Sequence, residues 1–370
     1  MKTPYFVYDM HILTSTLAEV NSQIKDSNFK IHYAIKANSN IEILKEIQKH
    51  NFGADCVSGQ EIEWALNAGF IPENIVFAGV GKTEEEIIYA IKNKVNVIHC
   101  EGYQEAMVIN EIATLLGEKV KVALRLNPNV NAKTHHKITT GLNENKFGFS
   151  ALELNRLISF KNNLTNLDII GLHFHIGSQI SNMEVFESLC EKVHEFIDVF
   201  KINFGVIKYL NLGGGLGIDY QKPNENPIPD FKSYFDVFKS KLNSKNINVH
   251  FELGRSIVGQ CGKLITKVLY IKEAELKQFA VVDAGMTELL RPALYNAYHQ
   301  IDFNGIYFRE KLKMYDIVGP ICETSDCLGE DIELPLLKRG DLLTIRSCGA
   351  YAESMQLSYN GRKKIESMFC

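Results

Sequence analysis

The chain has 370 residues, of which 45% are hydrophobic and 23% charged, as expected of a globular protein with a full buried core. With 40 lysines and arginines against 44 aspartates and glutamates, the formal net charge of −4 offers no general attraction to nucleic acid or an anionic membrane. We find no apolar signal-peptide core and no membrane-spanning apolar run, and the eight cysteines are scattered as reduced thiols usually are. These features favour a cytoplasmic protein.

Along the first 255 residues, apolar runs typical of strands alternate with segments of helical periodicity. The predicted strands are residues 31–36, 53–57, 75–78, 95–100, 120–126, 167–175, 207–212 and 249–253. Helices are predicted after the first seven strands, with Asn40 capping the first and Thr83 and Glu86 forming a capping box on the third. Eight strands, each followed by a helix except the last, predict a (β/α)8 barrel rather than a doubly wound sheet.

Beyond about residue 262 the pattern changes to strands with few helices between them, at 264–274, 279–282, 313–320 and 341–347. A further short strand is predicted at residues 5–8, outside the eight-fold count, and it could pair with the C-terminal strands. The sequence therefore predicts an α/β barrel over residues 28–260. A β-rich domain, discontinuous in sequence, is predicted from residues 1–27 and 261–370.

Polar side chains fall at the ends of most of the predicted barrel strands. In a (β/α)8 barrel these ends form one rim, which is where active sites lie. The residues concerned are Lys36, Asp55, Ser58, His99, Arg125, Asn127, His173, His175, Asn211, Glu252 and Arg255. One or two could be structural ion pairs, but six strands deliver a charged residue or a histidine to a single rim, which favours a functional site.

Lys36 and Glu252 are the two charged residues that most clearly indicate chemistry. A lysine at the end of a buried strand can have a lowered pKa and attack a carbonyl group, although a lone lysine more often extends its ammonium into solvent. Glu252 could pair with the cationic ring nitrogen of a pyridoxal cofactor. Its alternative role is a salt bridge to Arg125 or Arg255.

The glycine run 213–217 follows a predicted strand and would let backbone N–H groups approach a phosphate. It does not fit G-x-G-x-x-G, because Ile218 occupies the place of the third glycine, so a dinucleotide site is disfavoured. Arg255 would add positive charge to the same phosphate. A tight turn without a ligand is the alternative for this run.

His173 and His175 alternate along one predicted strand and so face the same side. That arrangement allows a rival interpretation, a metal-dependent hydrolase in which the two imidazoles, a lysine and the strand-eight acid surround the ion. The glycine run and Arg255 favour a cofactor that carries a phosphate, and we expect no metal.

Several motifs together resemble the fold-type III pyridoxal-phosphate-dependent decarboxylases over nearly the whole chain. They are residues 33–38 (YAIKAN), 171–179 (GLHFHIGSQ), 213–217 (GGGLG), 252–255 (ELGR), 291–295 (RPALY), 322–326 (CETSD) and 349–351 (GAY). The resemblance implies a barrel plus a β domain formed by both chain ends. Gln60 and Leu253 replace a glutamate and a proline that are usual in the family.

The resemblance also implies pyridoxal 5'-phosphate as cofactor. Lys36 would hold it covalently, His175 would stack on its ring, and Glu252 would keep its ring nitrogen protonated. The implied cofactor-binding set is completed by Asp55, Ser178, Gly214, Gly215, Gly254, Arg255 and Tyr351.

For the substrate, the resemblance implies that Arg291 and Tyr295, with Arg255 and Tyr351, bind the carboxylate that is retained. In this family two subunits share each site, so a homodimer is expected, with no nucleic-acid or membrane partner. Cys322 would donate a proton and Glu323 would pair with the distal amine, both in the site of the second subunit.

The implied reaction removes carbon dioxide from meso-2,6-diaminopimelate and leaves L-lysine. The alternatives are decarboxylases of the same fold that act on carboxynorspermidine, ornithine, arginine or a siderophore precursor. Because a simple diamine has no second carboxylate, Arg291 favours the first reaction. A non-enzymatic carrier of the cofactor is also considered, but a carrier would not need the C-terminal domain.

Overall fold

The structure, a computed structural model, describes residues 2–130, 146–242, 247–305 and 311–370. Two compact units make up the chain. The first combines residues 1–16, 218–229 and 255–370, and the second combines residues 17–217 and 230–254. The predicted division at residues 28 and 261 remains a proposal about which segments fold as domains.

The second unit is a closed barrel of eight parallel strands, as predicted. The strands are β2 (Phe29–Ala34), β3 (Gly53–Cys56), β4 (Ile75–Phe77), β5 (Val97–Cys100), β6 (Val120–Arg125), β7 (Leu167–His173), β8 (Tyr209–Asn211) and β9 (Asn248–Leu253). The barrel closes where β9 pairs with β2, which sets Leu253 beside Tyr33. The strands are almost wholly buried, since helices cover parallel strands and water reaches neither face.

Helices alternate with the barrel strands. They are α1 (Met10–Ile24), α2 (Ile41–Lys49), α3 (Gly59–Asn67), α4 (Glu84–Lys92), α5 (Tyr103–Leu116), α6 (Ala151–Phe160), α7 (Glu184–Phe204) and α8 (Phe231–Lys241). The predicted caps are confirmed: the Asn40 side chain accepts from the backbone of Glu42, and Thr83 and Glu86 form a capping box. Among the described helices, none has both the length and the apolar character needed to cross a lipid bilayer.

The first unit is built on an eight-stranded sheet with two short helices, α9 (Arg255–Val258) and α10 (Arg291–Tyr295). Its strands are β1 (Tyr5–Tyr8), β10 (Gly262–Glu273), β11 (Gln278–Val282), β12 (Ile301–Phe303), β13 (Leu312–Val318), β14 (Cys327–Pro335), β15 (Leu342–Ile345) and β16 (Ser367–Phe369). The N-terminal strand β1 lies between β10 and β16, which confirms its predicted pairing with the C-terminal strands.

Several predicted strands extend too far. Strand β2 ends at Ala34, and Lys36 lies in a single turn of 3-10 helix from Ile35 to Ala37. Strand β7 ends at His173, so His175 lies beyond the strand. Sequence patterns also missed β12, β14 and β16, because these strands are short or partly exposed and lack a continuous apolar run.

Candidate active site

Lys36 and Asp55 form an ion pair at the carboxyl ends of two neighbouring barrel strands. Strand β2 pairs with β3 so that Ala34 lies opposite Asp55, and the turn that follows β2 carries the lysine. Lys36 Nζ lies 3.5 Å from Asp55 Oδ2, with 37% of the lysine side chain exposed and none of the aspartate. Burial, followed by the charge of Glu252, raises the pKa of Asp55 to about 6, although Lys36 opposes the shift. A partly exposed lysine amine therefore lies beside a buried carboxyl group.

A second buried acid, Glu61, lies close to this pair and was missed by the sequence interpretation. Ser58 caps α3 by accepting from the backbone N–H of Glu61, and the Glu61 carboxylate accepts from Val57 N at 2.8 Å. Burial raises the pKa of Glu61 to about 7. The pattern Ser58-x-x-Glu61 is itself a helix-start signal. Gln60, the departure from the family pattern, is exposed instead.

Glu252 is buried at the end of β9 and surrounded by nitrogen atoms. The carboxylate accepts hydrogen bonds from His173 Nε2 at 3.1 Å and Asn211 Nδ2 at 2.9 Å, and His99 Nδ1 lies 3.3 Å from Oε1. Burial alone raises the pKa of Glu252, but His173 and His99 outweigh it and hold that pKa well below its usual range. Glu252 is therefore an ionised carboxylate. The suggested salt bridge to Arg125 is wrong, since Arg125 pairs with Glu101 at 2.6 Å.

His173, at the end of β7, and His175, just beyond it, have different surroundings. Burial lowers the pKa of His173 to about 3, so its imidazole is neutral and donates to Glu252 through Nε2–H. His175 lies past the strand end, where its Nδ1 accepts from Gly214 N at 3.4 Å, and desolvation, followed by the charge of Lys36, lowers its pKa to about 3. His173 thus groups with His99 and Glu252, whose ligand atoms lie within 4.8 Å of one another and could hold a metal ion.

The glycine run forms a tight turn after β8 that larger residues could not adopt. Gly213 has φ of 69°, and a Cβ atom on Gly214 would lie 2.0 Å from the carbonyl oxygen of Glu252. Asn211 fixes the start of the turn by accepting from Gly213 N at 2.8 Å. The turn lies beside the loop after β7 that carries Ser178, since Ile180 N donates to Gly215 O. Gly254 packs against the lysine turn, because a Cβ atom there would meet the Cβ atom of Ala37 at 3.0 Å.

In the first unit, two buried arginines lie over tyrosine rings. Arg255 donates to Tyr220 Oη at 2.6 Å and lies over the ring of Tyr351 at 4.8 Å. Arg291 lies over the Tyr220 ring at 4.6 Å and donates from NH1 to His299 Nε2 at 2.8 Å. A buried guanidinium group is costly without an anion, so the uncharged neighbours of Arg291 favour an anionic ligand there.

His299 binds Arg291 without neutralising its positive charge. Its Nδ1 lies 2.8 Å from the carbonyl oxygen of Arg346 and must donate to it, which leaves Nε2 as the acceptor for Arg291. Burial lowers the pKa of His299 to about 3, so it carries no charge that would repel the arginine. Arg291 Nε has no hydrogen-bond partner among the described residues. His299 and Tyr220 were both missed, since neither lies in a motif with an evident role.

Cys322 and Glu323 lie in the loop between β13 and β14, and other residues of the same unit fix their positions. The backbone N–H of Cys322 donates to Asn360 at 2.9 Å, and Tyr359 Oη donates to Glu323 at 2.7 Å. The Cys322 side chain is exposed. Of the remaining predicted residues, Tyr295 ends α10 and Tyr351 adopts a left-handed backbone conformation with φ of 57°.

The sequence matches the profile of the pyridoxal-binding domain of pyridoxal-dependent decarboxylases over residues 12–259. With the barrel and the rim residues described above, this match shows that the chain belongs to the pyridoxal-dependent decarboxylase family. The family resemblance read from the motifs is confirmed.

The similar relatives within that family are diaminopimelate decarboxylases. The enzyme of Bacteroides thetaiotaomicron is 47% identical over 365 residues, covering 98% of this chain and 94% of the relative. That of Aquifex aeolicus is 40% identical, covering 98% of this chain and 85% of the relative. A crystal structure of the Helicobacter pylori enzyme in complex with L-lysine is 37% identical, with a TM-score of 0.92 and coverage of 100% and 92%.

The barrel residues fit the cofactor that defines this family. The aldehyde of pyridoxal phosphate requires an amine, which Lys36 supplies beside Asp55. Its phosphate requires backbone donors, and the glycine turn offers backbone N–H groups where Gly214 has no room for a Cβ atom. Its basic ring nitrogen requires an anion, and Glu252 is a buried ionised carboxylate.

The raised pKa of Glu61 predicts a specific pH dependence of stability in the cofactor-free protein. The folded state binds the Glu61 proton more tightly than the unfolded chain does, because the pKa rises from 4.5 to about 7. Relative to a Glu61→Gln variant, the wild type should therefore lose at most about 3 kcal/mol of unfolding free energy between pH 4.5 and pH 7, and little more above that. Urea unfolding across this range measures the difference, with exposed Glu63→Gln as control. If the difference in unfolding free energy between the wild type and Glu61→Gln stayed constant with pH, Glu61 would not be a buried acid that titrates in this range.

Proposed function

We propose that the chain catalyses the decarboxylation of meso-2,6-diaminopimelate to L-lysine and carbon dioxide, with pyridoxal 5'-phosphate as cofactor. The observation that carries this proposal is the placement of Lys36 in the turn after β2 and of the ionised Glu252 on the neighbouring strand β9. The relatives that carry the name diaminopimelate decarboxylase, at 40% to 47% identity, support the choice of substrate. So does the L-lysine held by the Helicobacter pylori enzyme.

When bound, the cofactor would supply an electron-accepting ring for the electrons left by the departing carboxylate. Lys36 is assigned the covalent attachment and His175 the contact with the ring face. Glu252 is assigned the ring nitrogen, because a neutral His173 and Asn211 already hold its carboxylate in the charged form. Asp55 would accept hydrogen bonds near the lysine, since neither of its oxygens has a hydrogen-bond partner among the described residues.

The phosphate is assigned to Ser178, Gly214, Gly215, Gly254, Arg255 and Tyr351. For the glycine turn, the support is the close backbone approach at Gly214, where no side chain fits. For Arg255, the support is the position of its buried guanidinium, which donates to Tyr220 Oη and lies over the ring of Tyr351, itself one of the assigned residues.

The retained carboxylate of the substrate is assigned to Arg291 and Tyr295. A carboxylate binds most strongly to a buried guanidinium that no acid has already neutralised, and the contacts of Arg291 with His299 and Tyr220 are with uncharged groups. This feature favours a substrate with two carboxylates over ornithine, arginine or another simple amine.

Cys322 as proton donor and Glu323 as partner of the distal amine are assigned to the site of a second copy of the chain, so that the enzyme is a homodimer. The exposure of the Cys322 side chain supports this role. The eight free cysteines support a reducing compartment such as the cytoplasm.

The central test is release of carbon dioxide and L-lysine from meso-diaminopimelate with added pyridoxal phosphate. The wild type should turn over, and Lys36→Ala should lose activity by at least about 10³-fold, since the covalent attachment is removed. Borohydride treatment followed by peptide mass spectrometry should place the pyridoxyl group on Lys36. Modification there without lysine formation would retain the cofactor and reject the substrate, whereas no modification would reject both.

Arg291→Ala tests the substrate assignment. The loss of a buried charge-assisted contact should lower kcat/KM for meso-diaminopimelate about 10²-fold, while covalent pyridoxal phosphate stays at wild-type stoichiometry. The exposed Arg339→Ala of the same unit is the matched control and should behave as wild type. Wild-type kcat/KM in Arg291→Ala would refute the carboxylate assignment and direct the search to ornithine, arginine and carboxynorspermidine.

Mixing of two inactive variants tests the shared site. Lys36→Ala subunits keep Cys322, and Cys322→Ala subunits keep Lys36, so a mixed dimer would regain one complete site of two. Random reassociation after mild denaturation should restore about a quarter of wild-type activity, because about half of the dimers are mixed. If each site used its own chain's cysteine, the mixture would be no more active than its components.

A further inference from the structure

The ionised state of Glu252 rests on a buried hydrogen-bond network that extends to Tyr209 on the neighbouring strand β8. Tyr209 Oη lies 2.9 Å from His99 Nε2 and 2.9 Å from Asn211 Nδ2. The other nitrogen of His99, Nδ1, lies 3.3 Å from Glu252 Oε1. All four residues are buried, with exposed fractions between 0% and 4%. The directions of the hydrogen bonds in this network follow from its geometry.

Asn211 has its amide orientation fixed by two different kinds of partner. Its Oδ1 accepts from the backbone N–H of Gly213 at 2.8 Å, so its nitrogen is the atom that faces Glu252 and Tyr209. An amide nitrogen only donates, and it has two hydrogens for these two acceptors. Tyr209 Oη therefore accepts a hydrogen bond from Asn211.

The Tyr209 hydroxyl must then donate its own hydrogen bond to His99. Burial raises the pKa of the Tyr209 hydroxyl well above its usual value, so the O–H proton is retained. His99 Nε2 is the described partner left to accept it. When Nε2 is the acceptor of a neutral imidazole, the ring proton lies on Nδ1, the atom that faces the Glu252 carboxylate.

We propose that Tyr209 is a positioning residue that holds His99 in its Nδ1–H tautomer, so that the Glu252 carboxylate faces three N–H groups. In the opposite tautomer, a lone pair of His99 would face the carboxylate and repel it. Only the value of this arrangement for catalysis rests on the proposed function, in which Glu252 meets the ring nitrogen of the cofactor. The tautomer is a property of the chain alone.

The matched variants are Tyr209→Phe and Tyr234→Phe. Each removes one hydroxyl oxygen from a fully buried tyrosine of the barrel unit, but the Tyr234 hydroxyl has no hydrogen-bond partner among the described residues. Any effect of deleting a buried oxygen as such should therefore be common to both. An effect confined to Tyr209→Phe reports the hydrogen bond to His99.

The first readout is the tautomer of His99 in cofactor-free protein labelled with ¹⁵N-histidine, followed by long-range ¹H–¹⁵N correlation spectra. A His99→Gln variant assigns the signals. The wild type and Tyr234→Phe should show His99 protonated at Nδ1, and Tyr209→Phe should populate the Nε2–H form. The wild-type spectrum tests the proposal even if Tyr209→Phe does not fold. A wild-type His99 protonated at Nε2, or an unchanged tautomer in Tyr209→Phe, would overturn it.

The second readout separates this proposal from the proposed function. With pyridoxal phosphate and meso-diaminopimelate, Tyr209→Phe should lower kcat about tenfold with KM changed less than twofold, because a donor to a charged group is lost but no substrate contact is. Tyr234→Phe should retain wild-type kcat. A tautomer shift without turnover in any protein would reject the substrate and keep the positioning role. Equal kcat in both variants would reject that role.

Metal analysis tests the alternative that this cluster binds a metal ion. The same atoms of His99, His173 and Glu252 are near enough to hold an ion. Stoichiometric zinc in the purified wild type that is lost in Glu252→Gln would overturn the proposal, because His99 Nδ1 would then carry a metal in place of a proton. Metal-free protein with the Nδ1–H tautomer supports it.

Discussion

Burial of the Glu252 carboxylate at the end of β9 is energetically unfavourable, and the polar residues around it in the barrel stabilise it. Removing such a group from water costs several kcal/mol, and no cationic side chain of the barrel offsets that cost by direct contact in the described residues. Instead, His173 on β7 and Asn211 on β8 donate hydrogen bonds to it, each contributing roughly 1.5–3 kcal/mol. These hydrogen bonds stabilise the charged form of the carboxylate and leave its negative charge available to a ligand. A salt bridge to a cationic side chain would instead have neutralised the negative charge of Glu252, and a ligand could not then have paired with it.

The β-rich unit uses the same principle with the opposite sign. Arg291 is held by an imidazole that accepts a hydrogen bond but carries no charge, and both buried arginines pack on tyrosine rings. Aromatic faces and neutral acceptors fix the direction of a guanidinium group without neutralising it. The barrel thus orients a negative charge on Glu252, and the β-rich unit orients a positive charge on Arg291.

The barrel could be predicted from the sequence because each parallel strand leaves a continuous apolar run, and because Asn40, Thr83 and Glu86 mark where helices begin. The rim residues could be predicted because a charged residue at the end of such a run is conspicuous. The residues that were missed carry no such mark. In the sequence, Tyr209 cannot be distinguished from the other apolar residues of its strand. His299 follows a short helix in an irregular segment, where no pattern marks it. Their importance lies in which nitrogen or oxygen they face, and that depends on pairings between strands distant in sequence.

Strand β1 has a consequence for how the chain becomes a folded protein. It lies between β10 and β16, and its Phe6 pairs with Ser367, about 360 residues later. During synthesis β1 cannot pair until β10 has followed the whole barrel sequence out of the ribosome, and its pairing with β16 must form later still. The residues of β1 alternate between buried and partly exposed positions, and Phe6 and Tyr8 are fully buried in the finished sheet. The buried aromatic residues of β1 therefore lack their sheet partners until strands far along the chain have been synthesised.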